Sequence, residues 1–139
     1  MISYPAKFQK AKEGGYIVEF IDIPSCVTEG DSLEEAKTMA KDALSAILYS
    51  LDSRKMKIPK PSFIKKRGVY YIEPDLKIAF AITLKKERER LGLTQKDVAK
   101  QMNVNWTYYQ RIENPRKTNP NLGTIANLQK VFNRQFLQL

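Results

Sequence analysis

The sequence predicts an α+β chain in two parts. A small antiparallel-type sheet with one packed helix spans residues 1–74, and an all-α part spans residues 75–139. Three observations predict this. Apolar residues alternate on either side of Gly14-Gly15, the period-2 signature of half-buried strands. Between Ser32 and Leu51 they recur at helical spacing instead. From Leu76 the helical spacing holds almost throughout, broken at Pro115 and Pro120. A chain of 139 residues suits one medium domain or two small ones.

Residues 2–9 place Ile2, Tyr4, Ala6 and Phe8 on one face of a first strand. Glu13-Gly14-Gly15 supplies a turn, and Tyr16 to Ile21 sets Tyr16, Val18 and Phe20 on one face of a second. Two such runs about a Gly-Gly turn predict a hairpin. Ile23-Pro24-Ser25-Cys26-Val27-Thr28 reads as a turn leading into a short third strand. Ser32 is placed to cap a helix, with Glu35 three residues on to complete a capping box. Leu33, Ala36, Ala40, Ala43, Leu44, Ile47, Leu48 and Leu51 form its apolar stripe, which should pack on one face of the sheet. Residues 52–68 are basic, contain Pro59 and Pro61, and read as an irregular connection. Val69 to Glu73 reads as a fourth strand, and Pro74-Asp75 marks the boundary.

Beyond it, Ile78, Ala81, Ile82 and Leu84 are the expected buried side of a helix ending near Leu91-Gly92. Thr94 caps the next helix, with Asp97 placed to favour the positive end of its dipole. Val98, Ala99 and Met102 should face inward. Asn103 supplies a left-handed turn residue, and Asn105 caps a third helix. Leu122 to Phe132 forms another amphipathic helix through Leu122, Ile125, Ala126, Leu128 and Phe132.

No apolar run approaches the ~18 residues of a membrane span. Met1-Ile2-Ser3-Tyr4-Pro5 lacks a basic segment followed by an apolar one, so no secretion signal is expected. Cys26 is the sole cysteine and histidine is absent, which leaves no internal disulfide and argues against a zinc site. A cytoplasmic protein without metal or cofactor fits this composition. The net charge of +9 is uneven. Residues 1–74 hold 12 Lys+Arg against 10 Asp+Glu, whereas residues 75–139 hold 12 against 5. The basic excess suits either a polyanion or a solvated surface.

The motif decides for the polyanion. Gly92-Leu93-Thr94-Gln95-Lys96-Asp97-Val98-Ala99, then Asn103-Val104-Asn105 and Trp106 to Glu113, reads as a helix-turn-helix. Tyr109 and Ile112 should hold the third helix to the core. Trp106, Thr107 and Tyr108 stand at its N-terminal end, which enters the major groove in this geometry. Arg111, one turn on beside Gln110, is a candidate for bidentate contact with guanine. A phosphate or a neighbouring acid is the other destination for its guanidinium. Trp106 either packs against Tyr109 or Val104, or touches a thymine methyl or a sugar.

Residues 81–132 resemble the phage-repressor type of helix-turn-helix, the XRE family. The matching residues are Leu84, Arg88, Gly92-Leu93-Thr94-Gln95, Val98-Ala99, Val104 and Arg111-Ile112-Glu113. The resemblance implies that Gln95 contacts a phosphate and that Arg88 pairs with Glu113. Asn103 stands where the family has a turn glycine. Asn114 to Pro120 is a slightly longer loop than usual, which bears on any backbone contact carried over to Lys117. The DNA-binding set is thus Thr94, Gln95, Asn105, Trp106, Thr107, Tyr108, Arg111 and Lys117. Such proteins usually read twofold sites as dimers. A homodimer or higher homo-oligomer is expected, with Arg134 to Leu139 contributing, unless Phe136 and Leu137 close the domain's own core.

Glu13 to Phe20, Asp22-Ile23-Pro24, Cys26 to Ala36 and Ile58-Pro59-Lys60-Pro61-Ser62 resemble the HicB antitoxin domain. Ser25 departs from the family's common glycine. The resemblance implies a degraded ribonuclease H fold that binds and blocks HicA, a small toxin that cleaves messenger RNA. The toxin is basic in the families this resembles, so Glu19, Asp22, Glu29 and Asp31 are the expected contacts. These four acids make no convincing two-metal cluster, and no catalytic residue is expected. The leading expectation is a type II antitoxin that represses its own operon, with no membrane partner. The rivals are a repressor whose front half senses a ligand or mediates oligomerisation, and an active nuclease.

Overall fold

A computed structural model describes residues 1–136. The chain divides into two compact units, one from Ile2 to Leu76 and one from Lys77 onward. In the first, β1 (Tyr4–Lys10) and β2 (Tyr16–Phe20) form an antiparallel hairpin, with Ala6 opposite Phe20 and Phe8 opposite Val18. The turn needs left-handed backbone at Gly14 (φ 96°) and Gly15 (φ 76°), which glycine adopts without a Cβ clash. β3 (Val27–Gly30) pairs with β2, and β4 (Val69–Ile72) pairs with β1. The sheet order is β3-β2-β1-β4, antiparallel throughout.

Helix α1 (Leu33–Ser53) lies over β2, β3 and β4. Ser32 Oγ accepts the Glu35 N–H at 3.1 Å. The return arm of the expected capping box differs: Glu35 Oε2 accepts the Asp31 N–H at 3.0 Å, one residue before the cap. Ala36, Ala40, Leu44 and Leu48 are buried, and Leu33, Ala43, Ile47 and Leu51 are half-buried at the margins. The sheet face beneath carries Tyr4, Ala6, Phe8, Val18, Phe20 and Ile72, all buried. Helix and sheet approach closely at Gly30, where an added Cβ would lie 2.4 Å from the Ala36 nitrogen. The mid-helix Ser45 is also buried; its hydroxyl donates to the Lys41 carbonyl and accepts the Asp75 N–H.

Between α1 and β4 the chain forms neither helix nor strand. Three side chains from the sheet and its turn hold this strap. Tyr4 Oη donates to the Pro59 carbonyl at 2.6 Å. The Asp22 carboxylate accepts the Ser62 N–H at 2.8 Å and the Ser62 hydroxyl. Tyr71 Oη donates to the Ser62 carbonyl at 2.9 Å and accepts the Ile64 N–H at 2.6 Å. Burial, with the Asp22 charge added, pushes the Tyr4 phenol well above its ordinary range.

The second unit holds α2 (Leu76–Arg90), α3 (Gln95–Met102), α4 (Trp106–Ile112) and α5 (Leu122–Phe132). Its core gathers Phe80, Leu84, Val98, Ala99, Met102, Tyr109, Ile112, Leu128, Phe132 and Phe136. Two expectations are corrected here. In α2, burial is continuous from Ala79 to Leu84, while Ile78 is half-buried. Phe80 and Leu84, one turn apart, enter this core; spacing alone does not choose between two apolar faces on one helix. In α5, Leu122 and Ala126 form a separate exposed ridge, and Leu128 and Phe132 alone are buried. The Phe136 ring meets Phe80 at 6.1 Å and Phe132 at 5.7 Å edge-on. Its N–H donates to Gln129 Oε1 at 3.0 Å. Phe136 therefore closes this unit's own core rather than standing free for a partner, while Leu137 to Leu139 lie outside the described residues.

Candidate nucleic-acid interface and acidic sheet face

Two caps and a left-handed residue set the helix-turn-helix. Thr94 Oγ1 accepts the Asp97 N–H at 3.0 Å, and Asp97 Oδ2 accepts the Thr94 N–H at 2.8 Å. This full capping box, led by the Thr94 hydrogen bonds, holds the Asp97 carboxyl below its ordinary range. Beyond favouring the helix dipole, as its position predicts, Asp97 thus closes the cap with a second bond that the spacing alone does not reveal. Asn103 ends α3 at φ 60°, ψ 45°, a conformation asparagine tolerates. Asn105 Oδ1 accepts the Tyr108 N–H at 2.7 Å and starts α4.

Tyr109 and Ile112 anchor α4 in the core. Trp106, Thr107, Gln110 and Arg111 are exposed, and their i, i+4 spacing puts them on one face. Trp106 is 44% exposed and lies outside the core around Tyr109. The Lys96 ammonium sits 4.6 Å from its ring centroid, a third surrounding for Trp106 besides the core and the groove. Tyr108 is partly exposed, with its hydroxyl 2.9 Å from Thr124 Oγ1 on α5. Thr94 and Asn105 are exposed but spend their side-chain oxygens on caps. Lys117 is exposed on a loop ordered by Asn114, whose side chain accepts the Arg116 N–H and whose carbonyl accepts those of Lys117 and Thr118.

Behind this face, Arg88 joins α2 to the end of α4. Its Nε and Nη2 donate to Glu113 at 2.7 and 2.9 Å, and Nη1 donates to the Leu93 carbonyl at 2.8 Å. The Arg88 side chain is 12% exposed and that of Glu113 2%. This bidentate pair raises the Arg88 pKa further and fixes where α4 ends. Gln95 is half-buried, and its Nε2 lies 3.4 Å from Glu113 Oε1. Periodicity gave no sign of a second buried carboxylate, Glu87, which holds Arg90 at 2.6 Å and Arg134 at 2.8 Å. The hydrogen bond from Arg90, with help from Arg134, holds the Glu87 carboxyl below its ordinary range. The Tyr109 phenol is raised strongly by burial and then by the Glu113 charge.

On the first unit, strand parity sets Lys7, Ile17, Glu19, Val27, Glu29 and Tyr71 on the sheet face opposite α1. Glu19 and Glu29 are exposed there among exposed Ile17 and Val27. Asp31 is exposed at the start of α1. Asp22 stands apart from these three, because its half-buried carboxylate is occupied by Ser62. The four acids proposed together from the sequence thus divide into an exposed trio and a structural latch. Among the described residues, no three potential metal ligands cluster, and no helix is long and apolar enough to cross a membrane.

Comparison with known proteins identifies the family. Residues 3–84 match the family of HicB-like antitoxins of bacterial toxin–antitoxin systems. Residues 84–139 match a helix-turn-helix family. A protein named Antitoxin HicB 1 from Photorhabdus laumondii is 31% identical over 134 residues, covering 95% of this chain and 83% of its own. Antitoxin HicB from Escherichia coli is 34% identical over 100 residues, 71% of each chain. A chain from a solved toxin–antitoxin complex of Streptococcus pneumoniae aligns with a TM-score of 0.48 at 17% identity, over 67% of this chain and 90% of that one. With a βββαβ sheet unit followed by a capped helix-turn-helix, this chain belongs to the HicB-like antitoxin family.

Proposed function

We propose that the chain neutralises a HicA-type, mRNA-cleaving toxin with residues 1–74 and represses its own operon with residues 75–139, acting in the cytoplasm. The observation that carries this reading is the pairing of two dissimilar surfaces on one chain. Trp106, Thr107, Gln110 and Arg111 form an exposed face on a helix whose start and end are fixed by Asn105 and the Arg88–Glu113 pair. That face suits base edges, and Lys117 and Gln95 suit the flanking phosphates. Glu19, Glu29 and Asp31 suit a basic protein, and the apolar Ile17 and Val27 between them give it something to bury. The first unit acts by covering the toxin, not by catalysis.

A twofold operator would be read by two copies of the chain, one α4 per half-site. The test is co-expression with the product of the neighbouring reading frame, a basic protein of some sixty to ninety residues with one central histidine by resemblance to the family's toxins. Co-purification and restored growth are expected. A neighbour that neither co-purifies nor inhibits growth when expressed alone would remove this reading.

A further inference from the structure

We propose that the strap between α1 and β4 is a binding site for single-stranded nucleic acid, separate from the α4 face. The charge of the first unit is segregated. Residues 54–67 hold seven Lys+Arg and no acid, while the rest of residues 1–74 holds five Lys+Arg against ten Asp+Glu. The modest net charge of this half therefore hides a strongly basic segment. All seven cations are exposed, and among the described residues none of them forms an ion pair. Such a strip is a track for a phosphate backbone.

Charge alone would suit any polyanion; the aromatic residues narrow the choice. Phe63 lies within the strap and is 90% exposed. Lone exposed apolar side chains are ordinary, but the backbone that carries this one is held in place. Tyr71 Oη is bonded to both residues that flank it, the Ser62 carbonyl and the Ile64 N–H, and Asp22 takes the Ser62 N–H. Tyr71 is itself 41% exposed. Two exposed aromatic side chains, Phe63 on the strap and Tyr71 bonded to it, thus accompany a segment that also carries Lys60, Lys65, Lys66 and Arg67. Aromatic platforms interleaved with cations stack unpaired bases, which a duplex does not offer. An anionic membrane would draw on the cations alone and would leave the anchoring of the Phe63 backbone by Tyr71 without a role.

The test uses the full chain, premixed with excess unlabelled duplex DNA to occupy the α4 face. Anisotropy is read on labelled oligouridine of about 12 nucleotides. Oligothymidine of equal length separates RNA from single-stranded DNA, and phosphatidylserine vesicles report on a membrane. The oligonucleotide is expected to bind despite the duplex. Lys65→Ala/Lys66→Ala/Arg67→Ala should weaken it tenfold or more and reduce the salt slope by about 2. Phe63→Ala should weaken it by roughly tenfold while leaving that slope unchanged, and Phe63→Trp should restore it. Every altered side chain is exposed, so circular dichroism melting curves should not move. Displacement by duplex, insensitivity to Phe63→Ala, or binding to vesicles without binding to the oligonucleotides would each overturn the proposal.

Discussion

Arg111 and Glu113 are two residues apart and have opposite fates. Arg111 is exposed on the reading face of α4, and Glu113 is sealed beneath it. Arg111→Ala should therefore weaken operator binding by ~1–3 kcal/mol and leave random DNA much less affected. Titrations on operator and scrambled duplex check this, and equal losses would place Arg111 on the backbone instead. Glu113→Ala leaves the Arg88 guanidinium with only the Leu93 carbonyl, and breaking a buried pair on one side costs ~3–5 kcal/mol. Urea unfolding of the variant should show it. The pairing was legible because arginine and glutamate sat at matching motif positions. The Glu87 cluster was not, because Arg134 lies 47 residues away in sequence. Glu87 also sets a pH dependence. Its folded pKa is lowered, so its contribution is complete above the unfolded carboxylate value and lost as pH falls through the folded one. Acid unfolding of Glu87→Gln should be less steep than that of the unaltered chain.

At the scale of elements, caps and close approaches govern. Thr94→Ala removes the hydroxyl that accepts the Asp97 N–H at the start of α3, while the residue-94 N–H to Asp97 is kept, and should cost about 1 kcal/mol. Operator binding should weaken as well, because α3 and α4 share one core. Gly30 is the counterpart in the first unit. Its added methyl would meet the Ala36 backbone, which cannot rotate away, so Gly30→Ala should destabilise by at least ~1–3 kcal/mol. Thermal melts measure both effects. The strands, α1 and the capped helices were readable in the sequence because each carries a local signal: alternation, a cap, or 3.6 spacing. The return bond from Glu35 to Asp31, the buried Phe80 side of α2 and the exposed Leu122–Ala126 ridge were not. The last two depend on what lies opposite, which periodicity does not encode; the first is a local shift of the capping box from the Ser32 N–H to that of Asp31. The strap was visible as basic and irregular, but its anchoring by Tyr4, Asp22 and Tyr71 joins residues 40 or more apart for the first two and so escaped a local reading.

For the whole molecule, the central claim is that the two halves carry different partners. The charge arithmetic points this way only once the strap is set aside, since the remainder of residues 1–74 is clearly acidic. Asp22, grouped with the acidic contacts on sequence alone, belongs to the strap's anchoring, and Asp22→Ala should loosen residues 59–64 to proteolysis before it affects anything else. Glu19, Glu29 and Asp31 remain the contacts proposed for a basic toxin. The most direct measurement is a pull-down of the neighbouring gene's toxin by residues 1–74 and by residues 75–139, each also run in a mobility-shift assay with the operator. Toxin should follow residues 1–74, which should leave the operator unshifted, and residues 75–139 should retain weak operator binding. Toxin retained by residues 75–139 instead would contradict the account.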